Sequence, residues 1–252
     1  MNVQEIELQN RDGKRMPAVL RIPEGESKGT VVLLHGLGGW KDQPILKTLA
    51  ETYTHDGYVS FAFDDSNGVM SPDGKFFDST QTRYERDIED AMEYVLQASW
   101  YRAPLTLIGH SMGGLAAIDY AAAHTTVARL VLLAPAVSWK SMWYVQLPFA
   151  LISLLRGHES VLGVGNRRFL LGAGWWRDFF SYDAFRSAQF VTIPTLIISA
   201  EKDFTVAKPR EHRRLTKRFE HAQHSTISWA DHDFDGHEEE VADTIKQWLT
   251  SS

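Results

Sequence analysis

Two kinds of hydrophobic pattern divide the chain. Near its start, Val3 to Leu8 and Ala18 to Ile22 alternate apolar and polar residues, the period of a strand with one wet face. Asp12-Gly13 lies between them and reads as a turn, so an antiparallel pair is expected. From residue 30 the alternation gives way to short, continuous apolar runs. Val31 to Leu34 ends at His35-Gly36, and a helical pattern follows over roughly 43–56. Tyr58 to Phe63 ends at Asp64-Asp65, with a long helix over roughly 81–99. Leu105 to Ile108 runs into Gly109, before a small-residue helix over roughly 112–123. Leu130 to Leu133 ends at Ala134-Pro135, and Thr195 to Ser199 and Thr226 to Trp229 are the last two strands, each followed by a helix.

Strands that are apolar throughout and alternate with helices belong to a mostly parallel sheet covered on both faces. The expected class is therefore α/β. Ligands of such sheets bind beyond the carboxyl ends of the strands. One interval breaks the rhythm: residues 136–190 hold no clear buried strand but are rich in aromatics, among them Trp139, Trp143, Trp175 and Trp176. A plain loop of that length is improbable inside a domain, so it reads as an inserted helical cap. The whole of 1–252 is then one domain carrying that insertion.

Composition narrows the function only a little. The 252 residues are 44% hydrophobic and 23% charged, ordinary globular values, with no internal repeat. Twenty-six basic against 32 acidic side chains leave a net charge of −6, which disfavours nucleic acid as a partner. There is no cysteine, so disulfides, thiolate metal sites and a cysteine nucleophile are excluded, in agreement with a cytoplasmic location. Met1 to Asn10 contains Glu5 and Glu7 and lacks an apolar signal core. The longest apolar stretch, Met142 to Leu155, is too short to span a bilayer and contains Pro148, so no transmembrane segment is expected.

Chemistry concentrates where the strands end. Gly109-His110-Ser111-Met112-Gly113 matches G-x-S-x-G, follows a buried strand and opens an Ala- and Gly-rich helix. That is the strand–turn–helix setting in which a serine is held in a sharp turn with its Oγ facing a cleft. The flanking glycines let strand and helix pack closely. The alternative is a serine in an ordinary glycine-rich turn.

With Gly114, this Gly-His-Ser-Met-Gly-Gly run resembles the nucleophile elbow of the α/β-hydrolase esterases, lipases and acylglycerol hydrolases. The resemblance follows the order of elements over nearly the whole chain, the cap excepted. It implies the α/β-hydrolase fold and Ser111 as nucleophile. His35-Gly36-Leu37-Gly38-Gly39 resembles the family's H-G-x-x-G loop. The oxyanion donors implied are the backbone N–H groups of Met112 and Leu37, with Gly38 as the alternative to Leu37. His35 itself reads as a structural residue, because it precedes the nucleophile and the family's base comes last.

The family's order is Ser, then acid, then His. Asp203, beyond the strand ending at Ser199, resembles the family's acid, with Val206 three residues later and Glu201 as the local competitor. The preceding strand end, Ala134 to Ser138, offers no carboxylate. His232, after the last strand, is placed to be the general base, and His237 is the runner-up. Asp231-His232-Asp233 is rich in ligand types, but it is a sequential run without a helical His pair, and neither metal nor other cofactor is expected.

Asp64 to Gly68 and Ser71 to Phe76, then Thr80 and a long helix, resemble cinnamoyl and feruloyl esterases, although Asn67-Gly68-Val69 departs from their Gly-x-Gly turn. The expectation is a small-molecule carboxylic ester with an apolar or aromatic acyl group. Trp143, Trp175 and Trp176 are the candidate pocket residues. An acylglycerol substrate, with transient lipid contact by the cap, is the alternative. Thioester hydrolysis or acyl transfer on the same fold also remains open. A haloalkane dehalogenase is disfavoured, since its nucleophile is Asp. A non-catalytic ligand-binding protein is the alternative of another class, and the presence of all three triad candidates speaks against it.

Overall fold

Apolar side chains on both faces of the central strands dictate the layering. The computed structural model describes residues 1–138, 140, 143–163, 167–204 and 206–251. In β3 (Thr30–Leu34), Val31 and Leu33 belong to one core, while Val32 and Leu34 belong to the other. The first core packs against α1 (Pro44–His55) through Ile45, Leu46 and Leu49, and against α8 (Glu238–Ser251) through Val241, Ile245 and Trp248. The second packs against α2 (Gln81–Gln97) through Tyr84, Ile88 and Met92, and against α3 (Met112–Ala123) through Leu115 and Ile118.

Among the described residues the sheet has eight strands. Besides β3 they are β1 (Asn2–Gln9), β2 (Arg15–Ile22), β4 (Val59–Phe63), β5 (Leu105–His110), β6 (Val127–Leu133), β9 (Thr195–Ala200) and β10 (Ala222–Ile227), the last two joined through α7 (Pro209–Thr216). Their order is β1-β2-β4-β3-β5-β6-β9-β10. β1 and β2 pair antiparallel, as their alternation and the Asp12-Gly13 turn predict, and β2 joins β4 antiparallel. The pairs from β4 through β10 are parallel. The chain passes from β3 to β4 on one side and later returns to β5 on the other, so strand order reverses at β3. Loops leaving β3 and β5 there diverge and open a crevice at their carboxyl ends.

Two expectations are corrected. The last strand is Ala222–Ile227, not Thr226 to Trp229. β10 pairs with β9 alone, so its polar Gln223, His224 and Ser225 need not be buried, and a search for apolar runs passes over it. The interval between β6 and β9 is not wholly helical. It holds α4 (Trp143–Arg156), α5 (Gly174–Phe179) and α6 (Ala184–Ser187), but also the hairpin β7 (His158–Leu162) with β8 (Arg168–Gly172). Gly157, at φ +81°, turns the chain from α4 into β7.

The interval docks on α2. The Asp178 carboxylate accepts from the Thr82 backbone N–H at 2.8 Å and from its hydroxyl at 2.7 Å. The Tyr182 hydroxyl donates to Glu85 at 3.1 Å. Burial pushes the Glu85 carboxyl up to about 8. On the outside, α4 exposes Phe149, Leu151, Ile152 and Leu155. Among the described residues no helix is long and apolar enough to cross a membrane.

The two environments separate in a stability test. Leu33 is fully buried and Leu155 is 87% exposed. Leu33→Ala should lower unfolding free energy by about 2–5 kcal/mol in urea titrations. Leu155→Ala should stay within about 0.5 kcal/mol of the parent.

Candidate active site

Ser111 stands between β5 and α3 with φ 55° and ψ −117°, a backbone conformation that non-glycine residues rarely hold. Such strain costs on the order of 1–3 kcal/mol and persists only where the surroundings over-determine it. Here they do. The Ser111 N–H donates to the Leu133 carbonyl at 2.9 Å, and the Ser111 carbonyl accepts from Ala136 at 2.9 Å and Gly114 at 3.0 Å. The start of α3 presses on β3 so closely that a Cβ on Gly113 would meet the Leu34 and His35 carbonyl oxygens. A Cβ on Gly36 would lie 2.9 Å from the Ser111 Cβ. The loop after β3 therefore runs directly alongside the serine.

Ser111, His232 and Asp203 come from three separate strand ends and form one hydrogen-bonded chain. The Ser111 hydroxyl donates to His232 Nε2 at 2.8 Å, and His232 Nδ1–H donates to Asp203 Oδ2 at 2.7 Å. Asp203 is buried, and its Oδ1 accepts the Val206 N–H at 3.0 Å. Burial by itself disfavours the His232 imidazolium. The hydrogen bond and charge of Asp203 outweigh it, Asp233 and Asp231 add to them, and the pKa is raised above the usual 6.5. Such a chain can take a proton from the hydroxyl, hold the imidazolium against a carboxylate and return the proton to another atom.

His110, the variable residue of the G-x-S-x-G run, supports His232 from behind. Its Nε2–H donates to the His232 carbonyl at 2.9 Å, while Gln43 donates to its Nδ1 at 3.1 Å. Burial, with the neighbouring His232 charge, pushes its pKa down to about 4, so the ring is neutral and can both give and accept. His35 Nδ1–H donates to the Gly36 carbonyl at 2.8 Å, its own carbonyl accepts from Tyr84 at 3.0 Å, and its ring stacks on Tyr84. It braces the loop that carries Leu37. Neither the Leu37 nor the Met112 N–H is taken up by a backbone acceptor among the described residues.

Two cavities meet at Ser111. One, of about 280 Å³, is lined by Leu37, Met112, Phe149, Trp175, Trp176 and Phe179, and by Phe204 and Val206. Among the described residues its one acidic wall residue is Glu159, whose Oε1 accepts the Trp176 indole N–H at 2.8 Å and whose carboxyl is raised by burial. The other, of about 460 Å³, holds Leu37, Trp40, Gln43, His110, His232, Asp233 and Asp235.

The residues singled out in the sequence fall as follows. Ser111, Asp203 and His232 are brought together, and Leu37 and Met112 flank Ser111. Trp175 and Trp176 line the smaller cavity, whereas Trp139 and the side chain of Trp143 lie outside the described residues. Glu201 turns away and accepts the Trp229 N–H at 2.8 Å, and His237 pairs with Glu240 at 3.1 Å at the start of α8. Among the described residues no three metal-ligating side chains are grouped as a metal site requires. His110, Gln43, Phe204 and Glu159 are not marked as site residues by the sequence, and Phe149 is marked only as one of the aromatics of residues 136–190. His110 had a signal in its place beside Ser111; Glu159 had none, because the hairpin that carries it was not foreseen.

The raised His232 pKa is open to direct measurement. In proton NMR titrations its imidazole should titrate above 6.5. The carboxylates of Asp231 and Asp233 favour the charged ring, so the Asp231→Asn, Asp233→Asn double variant should titrate lower. An unchanged midpoint would remove those two charges from the account.

Comparisons with known proteins agree with this architecture. A model of the serine aminopeptidase S33 family matches residues 25–162, more than half of the chain. A monoglyceride lipase of Saccharomyces cerevisiae is 31% identical over 124 residues, which cover 47% of this chain and 39% of that protein. The matched segment thus spans well under half the length of that curated relative. Among solved structures, Est1E from Butyrivibrio proteoclasticus with bound ferulic acid superposes with a TM-score of 0.81 at 19% identity, covering 98% of each chain. Alpha/beta hydrolase domain-containing protein 10 from mouse gives 0.77 at 15% identity, covering 98% of this chain and 99% of that one. At such identities the structural likeness establishes the fold. With the α/β-hydrolase fold and the family match both in hand, the chain belongs to the serine aminopeptidase S33 family.

Proposed function

We propose that the protein is a serine hydrolase of carboxylic esters, acting through an acyl-enzyme on Ser111. The observation that carries the reading is the Ser111–His232–Asp203 chain, at 2.8 and 2.7 Å, opening onto an apolar cavity. In this reading Ser111 Oγ attacks the ester carbonyl carbon while His232 Nε2 takes its proton. The N–H groups of Leu37 and Met112 receive the oxyanion. Collapse breaks the carbon–oxygen bond, and His232 returns the proton to the departing alcohol. Water then attacks the acyl-enzyme, giving its proton to His232, and the acid leaves as Ser111 recovers its own. Asp203 holds the His232 tautomer and balances the imidazolium throughout.

The substrate assigned is a small ester with an apolar or aromatic acyl group. The aromatic walls of the 280 Å³ cavity support it, and so does the fold shared with Est1E, which holds ferulic acid. Residues 136–190 act as a cap on a single domain, supplying Trp175, Trp176 and Phe179 to that cavity. An acylglycerol is the second reading. It is favoured by the exposed apolar face of α4, where Phe149 both faces outward and lines the cavity, and by the partial match to the yeast lipase.

A screen of aryl esters graded in acyl size, with a hydroxycinnamate ester and a monoacylglycerol, tests the reading. Ser111→Ala should abolish turnover by several orders of magnitude with the fold intact. Asp203→Asn should cost about 10⁴ in turnover. Near-normal activity in Ser111→Ala would remove Ser111 as the nucleophile, whereas no labelling of the folded parent by a fluorophosphonate, with no turnover of any ester, would leave a non-catalytic binding protein as the better account.

A further inference from the structure

The two cavities at Ser111 differ in which part of the proposed machinery they contain. Both reach Ser111 and Leu37. The apolar one adds Met112, the other proposed oxyanion donor, but not His232. The larger one adds His232. Whatever leaves must collect its proton from His232 Nε2, so the leaving oxygen has to lie on the His232 side, and the acyl chain then extends the other way.

The larger cleft also has a definite electrostatic sign. Asp233 and Asp235 line it, and no lysine or arginine is found among its described walls. The loop that carries them is tied by Asp231, whose Oδ1 accepts the Asp235 N–H at 3.1 Å. Gln43 and Trp40 add polar and aromatic wall. Partial burial and the nearby charges of Asp231 and Asp233 raise the Asp235 carboxyl, as expected where carboxylates crowd without a cation among them.

We propose that the cleft of about 460 Å³ beside His232 is the leaving-group site, and that Asp233 and Asp235 make it select uncharged or cationic alcohols against anionic ones. The inference rests on the reading of Ser111 and His232 as nucleophile and base. It names polyols and amino alcohols as the favoured leaving groups. It disfavours thiol carriers that bear phosphates, and so separates ester hydrolysis from thioester hydrolysis of such carriers.

Three esters of one acyl group test it: the choline ester, the 3,3-dimethylbutyl ester, which has the same shape without charge, and the ester of 2-hydroxyethanesulfonate. At low salt, kcat/KM should fall in that order, with the cationic ester on the order of tenfold ahead of the anionic one. Salt near 0.5 M should compress the ratio, because exposed charges are screened within a few ångströms. In the Asp233→Asn, Asp235→Asn double variant the ratio should approach unity at either salt, measured on the alkaline plateau so that His232 is neutral in both proteins. Equal or faster hydrolysis of the sulfonate ester by the parent at low salt overturns the proposal, as does a ratio untouched by the double variant. A parent that cleaves none of the three, nor any aryl ester, overturns the hydrolase reading instead.

Discussion

The backbone of Ser111 is the constraint on which the site depends. A residue at φ 55° and ψ −117° is unfavourable by itself, and it survives because three elements converge on it. β6 receives its N–H through Leu133, the chain beyond β6 donates to its carbonyl through Ala136, and α3 begins by closing its first turn on the same oxygen. Gly113 lets α3 come within contact of the end of β3, and Gly36 lets the loop after β3 pass beside the serine. The strain is thus held by packing that the sheet already supplies, and its consequence is an Oγ aimed at the crevice where strand order reverses.

Around that serine, desolvation and charge act in opposition, and their balance differs from residue to residue. His110 is buried, and desolvation with the neighbouring His232 charge outweighs the more distant carboxylates, so its pKa falls to about 4. His232 is buried against Asp203, and there the carboxylate prevails. Two adjacent imidazoles, with ring centroids 4.9 Å apart, are therefore held in different roles: one is a neutral strut for the other's backbone, the other a group able to change its charge. The same opposition separates the two cavities. Aromatic side chains line the Met112 side, while aspartates line the His232 side.

The interval between β6 and β9 leaves the sheet at one edge of this crevice and returns next to where it left, since β6 and β9 are paired neighbours. The sheet is therefore indifferent to what lies between them. That freedom is used to bring Trp175, Trp176 and Phe179 over the serine, anchored through Asp178 and Tyr182 to α2. Ala150, Leu171 and Trp175 join the core that already covers that face. The price of the arrangement is the apolar outer face of α4, which is left to solvent.

Much of this was legible along the chain. Continuous apolar runs such as Val31 to Leu34 are diagnostic because a parallel strand buries both faces, and Ser111 and Asp203 each follow such a run, which places them at one end of the sheet; His232 follows the polar edge strand β10 and was placed by its order after them. The N-terminal alternation and the Asp12-Gly13 turn marked β1 and β2 for the same local reason. β10 was misplaced because an edge strand needs no apolar run. The hairpin β7–β8 was missed because its short strands are stabilised by packing and not by their own pattern. Glu159 and Phe204 were invisible for a further reason: each acquires its place only when segments distant in sequence fold over Ser111. Local periodicity and strand-end chemistry were thus determined by the sequence alone. The two-sided cavity, its opposite polarities and the support of His232 by His110 were decided by tertiary contact, because burial and electrostatic field depend on neighbours that the chain order does not name.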